Sequence, residues 1–202
     1  NKRAGYSVAH NLREGNPTEV KEWIPTGSRW LDSITCRGKK AGIPVGKITE
    51  IAGLSASGKS FMAALIAANA QQMGHTVVYF DAESAPDDTF LSKAGCDVSG
   101  MIYVQAISVE KVLGEIENLM DEYPNTQFLF IWDSIAATSS EKEIESDFNP
   151  QSTMAVKPRI FAKAFPKLTI PLANQQCTLI LINQLKTNIT SNVAEAMTTP
   201  FI

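Results

Sequence analysis

Short strand-like runs alternate along this chain with longer stretches in which apolar residues return every third or fourth position. The short runs are Lys47–Ala52, Thr76–Asp81, Met101–Val104, Gln127–Trp132 and Cys177–Ile182. They read as strands that are apolar on both faces, Met101–Val104 as a short buried one. Ser60 to Met73 reads as a helix, with Gly74 suited to the left-handed position that follows its last turn. Ser108 caps another helix, whose apolar residues fall at Val109, Val112, Leu113, Ile116, Leu119, Met120 and Tyr123, a one-sided stripe. Pro25–Asp32 reads as a turn into a short helix, and Gly42–Gly46 as a tight entry to the first strong strand. Ala82–Asp88 is a polar loop, and Thr89–Ala94 a short helix closed by Gly95. Helices alternating with doubly apolar strands predict an α/β protein of three layers, a mostly parallel central sheet flanked by helices.

Composition narrows this only a little. A length of 202 residues suggests one domain with room for a substantial core. No apolar run approaches the ~18 residues of a membrane span, and nothing resembles a signal peptide. Cys36, Cys96 and Cys177 are scattered and lack C-x-x-C spacing, which argues against structural zinc and points to a reducing cytoplasm. The formal charge of −3 excludes a broad basic field, so any nucleic-acid contact has to come from local patches. Residues 1–24 are polar and without period. The absence of an initiator Met and the loop-like composition of Thr198–Ile202 suggest a fragment.

The chemistry concentrates between the first strand and the first long helix. Gly53-Leu-Ser-Ala-Ser-Gly-Lys59-Ser60 matches G-x-x-x-x-G-K-[ST], the phosphate-binding P-loop, with strand, loop and helix in the required order. Such a loop turns backbone N–H groups inward at the positive end of a helix dipole and holds a polyphosphate largely by main chain. Gly53, Ser55, Ala56, Ser57 and Gly58 form the cradle. Lys59 is expected to reach the β- and γ-phosphates, and Ser60 to ligate Mg²⁺.

Ligands of such sheets sit beyond the carboxyl ends of the strands, so the polar residues there are the ones to inspect. Asp133 ends an apolar strand, where P-loop enzymes hold the acid that supports Mg²⁺; the bland alternative is an acid capping the next turn. Glu83 lies two residues beyond Asp81. If that strand neighbours the P-loop strand, Glu83 is placed to activate a water against the γ-phosphate; otherwise it is a solvated loop acid. Gln184 either contacts the γ-phosphate or simply begins a loop.

Six ordered blocks then resemble the ATPase core of the RecA family of homologous-recombination proteins. They are Thr26–Asp32, Gly42–Ile51, the P-loop, Tyr79–Glu83, Ile131–Ala137 and Leu181–Leu185. The resemblance implies a RecA-type fold from about residue 25 to the end, with residues 1–24 a separate, ill-defined segment and the chain stopping within a second DNA-binding loop. It implies Glu83 as catalytic base, Gln184 as the link between γ-phosphate and that loop, Phe90 against the adenine face and Asp87 near the adenine amino group. Phe90 has the alternative of a core residue. The family binds DNA through two mobile loops, here about Thr138–Thr153 and Lys186–Thr199. Lys157, Arg159, Lys186, Thr187 and Asn188 are the candidate DNA contacts, although Glu141, Glu143, Glu145 and Asp147 make the first loop acidic. Lys157, Arg159, Lys163 and Lys167 equally suit a solvated helix face.

The chain also departs from the bacterial pattern. Pro158 suits a first helical turn, whereas Pro166 and Pro171 are expected to kink or break the helix. A proline near Pro171 and the short spacing from Asp133 to Gln184 are more like phage-type recombinases. The family's strands after the second loop are not recognised. The expectation is an ATP- and Mg²⁺-dependent recombinase that self-assembles as a filament on single-stranded DNA and pairs it with homologous duplex, with no membrane. A hexameric helicase of the same fold, a non-hydrolysing recombination mediator and, more distantly, a P-loop kinase are the alternatives.

Overall fold

The computed structural model describes residues 19–35, 42–83, 87–146, 155–187 and 198–200. Its elements are β1 (Trp23–Ile24), α1 (Arg29–Thr35), β2 (Ile43–Pro44), β3 (Ile48–Gly53), α2 (Lys59–Gln72), β4 (Thr76–Asp81), α3 (Asp88–Lys93), β5 (Met101–Gln105), α4 (Val109–Glu122), β6 (Phe128–Asp133), α5 (Glu141–Glu145), α6 (Val156–Gln175), β7 (Thr178–Thr187) and β8 (Thr198–Pro200). β1 and β2 pair as a small antiparallel ribbon. The main sheet runs β3-β7-β6-β4-β5, all parallel, with β8 added antiparallel to the far end of β7. The expected α/β architecture is present: a mostly parallel sheet with helices on both faces.

Side-chain alternation along the strands divides the core in two. Val77, Tyr79, Leu129, Ile131, Ile180 and Ile182 face α2, together with Ile24, Ile43 and Val45 of the β1–β2 region. Val78, Phe80, Phe128, Phe130, Trp132, Leu179 and Leu181 face α4 and α6. The second face is aromatic, with Trp132 edge-to-face against Phe161 at 5.8 Å. The indole N–H donates to Thr138 at 2.8 Å, which satisfies a donor buried in that layer.

Several expectations need correction. β5 is not buried: it is the sheet's edge, leaving Ile102 39% and Tyr103 54% exposed. An apolar run reads the same at an edge as in the middle, because its neighbours are not in the run. The condition set for Glu83 is not met, because β7 and β6 lie between β4 and the P-loop strand β3. α6 is not broken by its prolines but continues from Val156 to Gln175. Phe161, Leu168, Leu172 and Ala173 anchor its inner face, while Pro166 and Pro171 are exposed. The carbonyls those prolines leave without an amide partner belong to Ala162 and Lys167, also on the exposed side, where water can serve them. Pro158 does sit in the first turn.

β7 does not end at Asn183-Gln184 but runs on to Thr187. Lys186 and Thr187, expected to begin a mobile loop, are strand residues in register with Thr199 and Thr198 of β8. Composition alone made Thr198–Pro200 look like loop, and backbone pairing makes it strand. The first expected loop contains the helix α5, whose Ser140 and Glu143 form a reciprocal capping box.

Candidate nucleotide site

β3 delivers the chain to Gly53, and α2 begins six residues later at Lys59. Between them the loop turns back on itself, with the Ser57 N–H donating to Leu54 O at 3.3 Å. A Cβ on Gly53 would lie 2.8 Å from Ser57 Oγ, so a larger residue there would require the serine hydroxyl to move. Gly58 caps α2 at φ 87°, a left-handed conformation, and among the described residues no side-chain cap hydrogen bond closes the start of the helix. α2 therefore opens with unshared N–H groups and its positive dipole end directed at the loop.

The sheet register brings the strand-end residues to the same level. Gly53 of β3 stands beside Gln184 of β7, and Asp81 of β4 beside Asp133 of β6. Glu83 reaches the same region although its strand lies remote from β3. The Ala82 N–H donates to Asp133 O at 2.7 Å, which leans the segment after β4 over the end of β6. The Glu83 N–H is held by Asp81 Oδ1 at 2.9 Å. Its carboxylate Oε1 then accepts from Ser134 Oγ at 2.7 Å and from Gln184 Nε2 at 3.0 Å.

These residues open onto one cavity of about 280 Å³, bounded by the loop from Ser55 to Ser60 and by Glu83, Asp133, Ser134 and Gln184. Phe90 and Phe61 form an apolar corner of it, edge-to-face with centroids 6.1 Å apart. Phe90 also packs on the α2-side core, as its alternative reading as a core residue has it. Asp87 is the N-cap of α3, accepting from the Phe90 N–H at 2.7 Å, and does not line the cavity. The Lys59 ammonium donates to Leu54 O at 2.8 Å, folded onto its own loop.

The electrostatics follow from depth. Burial holds the Asp133 carboxyl above the usual range, against the opposing effect of hydrogen bonds from Ser60 and Tyr79; the Glu83 and Asp81 charges push it the same way as burial. Tyr79 donates to Asp133 Oδ2 at 2.8 Å. Tyr103 donates to Asp81 Oδ2 at 2.6 Å, a bond that pushes its own phenol up to about 12. Sequence reading passed over Tyr79, Tyr103 and Ser134. Ser134 follows a strand end and the two tyrosines lie inside their strands, and the partner of each depends on which strands adjoin.

The donor set fits a magnesium–triphosphate group. One hydroxyl, Ser60, and one carboxylate, Asp133, already face each other, beside a glycine cradle and uncapped helix amides. Mg²⁺ is commonly bound by one or two such oxygens together with phosphate and water.

The model of the RecA N-terminal domain matches residues 1–201. This chain belongs to the RecA family. The protein RecA of Aquifex pyrophilus is 34% identical over 199 residues, covering 98% of this chain and 55% of its own length. RecA of Bifidobacterium breve is 36% identical over 173 residues, covering 86% and 43%, and RecA of Mannheimia haemolytica 34% over 168, covering 83% and 44%. The chain spans about half the length of these curated RecA relatives.

Away from the cavity, the expected DNA-binding residues do not act alike. Lys157 points inward, donating to Ala136 O at 3.3 Å and lying 3.9 Å from Glu143. Lys167 pairs with Glu117 at 2.7 Å. Arg159 and Lys163 are exposed on α6. Asn188 and the rest of the second expected loop up to 197 lie outside the described residues. No described helix is long and apolar enough to cross a membrane.

Proposed function

We propose that this chain carries the ATPase core of a cytoplasmic DNA recombinase, with residues 25–202 forming the catalytic unit. The observation that carries the reading is the meeting of Glu83, Ser134, Asp133 and Gln184 at the open end of α2. In this reading the backbone from Gly53 to Ser60 cradles the phosphates of ATP, and Lys59 leaves the Leu54 carbonyl for the β/γ oxygens. Ser60 and Asp133 would hold Mg²⁺, which when bound offsets phosphate charge. Glu83 accepts the proton of the water that attacks the terminal phosphorus, releasing ADP and phosphate. Gln184 exchanges its contact with Glu83 for one with the γ-phosphate. Because β7 continues unbroken from Gln184 to Thr187, that exchange is felt where the DNA-binding segment begins. Asp87 and Phe90 contribute to the adenine side, and Arg159, Lys186, Thr187 and Asn188 to single-stranded DNA. Lys157 takes part only if DNA draws it from Glu143.

The protein would assemble on single-stranded DNA as a helical filament and pair it with homologous duplex. Lys59→Ala should lose binding of a fluorescent ATP analogue and, with it, nucleotide-dependent DNA binding. ATP turnover stimulated by single-stranded DNA, with helical filaments in electron micrographs, is the expected behaviour of the parent protein. Six-membered rings would move the assignment to a helicase, and nucleotide binding without DNA-stimulated turnover to a mediator.

A further inference from the structure

We propose that Tyr79 is a positioning residue for magnesium, setting the Asp133 carboxylate in the orientation it shares with Ser60. The inference rests on reading the cavity as a magnesium–nucleotide site. The placement follows from register. Tyr79 stands opposite Ile131 on neighbouring parallel strands, so Asp133, two residues further on, lies diagonally ahead on the same face. A tyrosine is long enough to cross that diagonal, and its hydroxyl meets Oδ2 at 2.8 Å.

The surroundings make this more than an aromatic filling the core. Among the described residues, Tyr79 is the only aromatic of the buried hydrophobic residues that the main sheet turns to α2; the others are Val77, Leu129, Ile131, Ile180 and Ile182. The opposite face carries its aromatics as Phe80, Phe128, Phe130 and Trp132. The Tyr79 hydroxyl is thus the donor that meets the Asp133 carboxylate from the neighbouring strand. Tyr79 is fully buried and Asp133 only 3% exposed, so water has little access to replace that donor. With one carboxylate oxygen tied to the neighbouring strand on the same face, rotation of Asp133 about its side-chain bonds is restricted. The carboxylate then stays facing the Ser60 hydroxyl on the first turn of α2. Partners that orient a metal-supporting residue in this way commonly govern metal affinity.

Tyr79→Phe removes the hydroxyl and keeps the ring. Binding of a fluorescent ATP analogue to the full chain, titrated with Mg²⁺ and repeated in EDTA, separates orientation from packing. The expected result is a rise of about tenfold in the Mg²⁺ concentration for half-maximal binding, with the EDTA affinity unchanged. An unchanged Mg²⁺ requirement, or equal weakening with and without metal, would overturn the proposal. In an Asp133→Ala background the same substitution should no longer move the Mg²⁺ requirement; a further shift there would also overturn it. A parent protein that binds nucleotide independently of Mg²⁺ removes the premise and the inference together. A parent that needs Mg²⁺ while Tyr79→Phe needs no more refutes only the role of Tyr79.

Discussion

Helices α2 and α4 are both 14 residues long and lie on opposite faces of the same sheet, yet they are built differently. α4 announces itself. Ser108 caps it, accepting from the Lys111 N–H at 3.2 Å, and Val109, Val112, Leu113, Ile116 and Met120 bury a single stripe. α2 has no side-chain cap, and its buried positions include Ala63, Ala64, Ala67, Ala68 and Ala70. It is covered from two sides. The sheet lies beneath it, while Leu65 meets Gly27 and Asn69 donates to Pro25 O at 2.9 Å in the outer layer. Small alanines permit that double approach. A stripe reports how many sides of a helix are covered, and a cap whether its first amides are already committed. α4 is finished as a structural element, whereas α2 leaves its amino end without a side-chain cap beside the cavity.

That contrast can be tested by disturbing each helix separately. The largest effect belongs above the open end of α2. Glu83→Gln should lower ATP turnover by about 10²–10⁴-fold, because an amide cannot take the water's proton, while nucleotide still binds. Steady-state hydrolysis beside equilibrium binding checks this, and an unchanged kcat would make Glu83 an ordinary loop acid. Gln184→Ala comes next. One hydrogen bond to a charged oxygen is worth roughly 1.5–3 kcal/mol, about a tenfold to 150-fold shift. The mutant should therefore lose most of the ratio between DNA affinities measured with ATP and with ADP at fixed salt. A full ratio would remove Gln184 from the coupling.

Within α2, Ala67→Leu should cost about 1–3 kcal/mol in urea unfolding, since the helix is already approached from both sides. A neutral result would mean that α2 has a free face after all. On α4, Ser108→Ala should cost about 1 kcal/mol and leave nucleotide affinity untouched. A loss of affinity there would mean that the two helices are not separable.

The smallest effect is one of pH. Burial raises the Asp133 carboxyl, so Mg²⁺-dependent nucleotide binding should weaken on acidification before the ordinary carboxylate range near ~3.9 is reached. An acid whose folded pKa exceeds its unfolded one contributes stability below the unfolded pKa and loses it as pH rises through the folded one. Asp133→Asn should consequently melt higher than the parent at neutral pH without nucleotide, with the gain shrinking on acidification. A melting difference that stays constant across this range would contradict the raised pKa.

The chain by itself determined much of this protein. The P-loop is a contiguous string whose chemistry depends on local backbone freedom, so Gly53, Gly58, Lys59 and Ser60 could be named without a fold. Apolar rhythm located β4 at Thr76–Asp81 and the stripe and cap of α4, because burial on one or both sides leaves a local period. Sheet order left no such trace. Only the tertiary structure put β7 and β6 between β3 and β4, and only the lean of Ala82 onto Asp133 O brought Glu83 to the cavity regardless. It also made β5 an edge, carried β7 on to Thr187 against β8, and let α6 pass through Pro166 and Pro171. The hydroxyls of Tyr79, Tyr103 and Ser134 found their carboxylates in the same way. Each of these depends on which elements come to lie beside one another. A period along one strand records which face a residue takes, and it holds no information about which strand lies beside it.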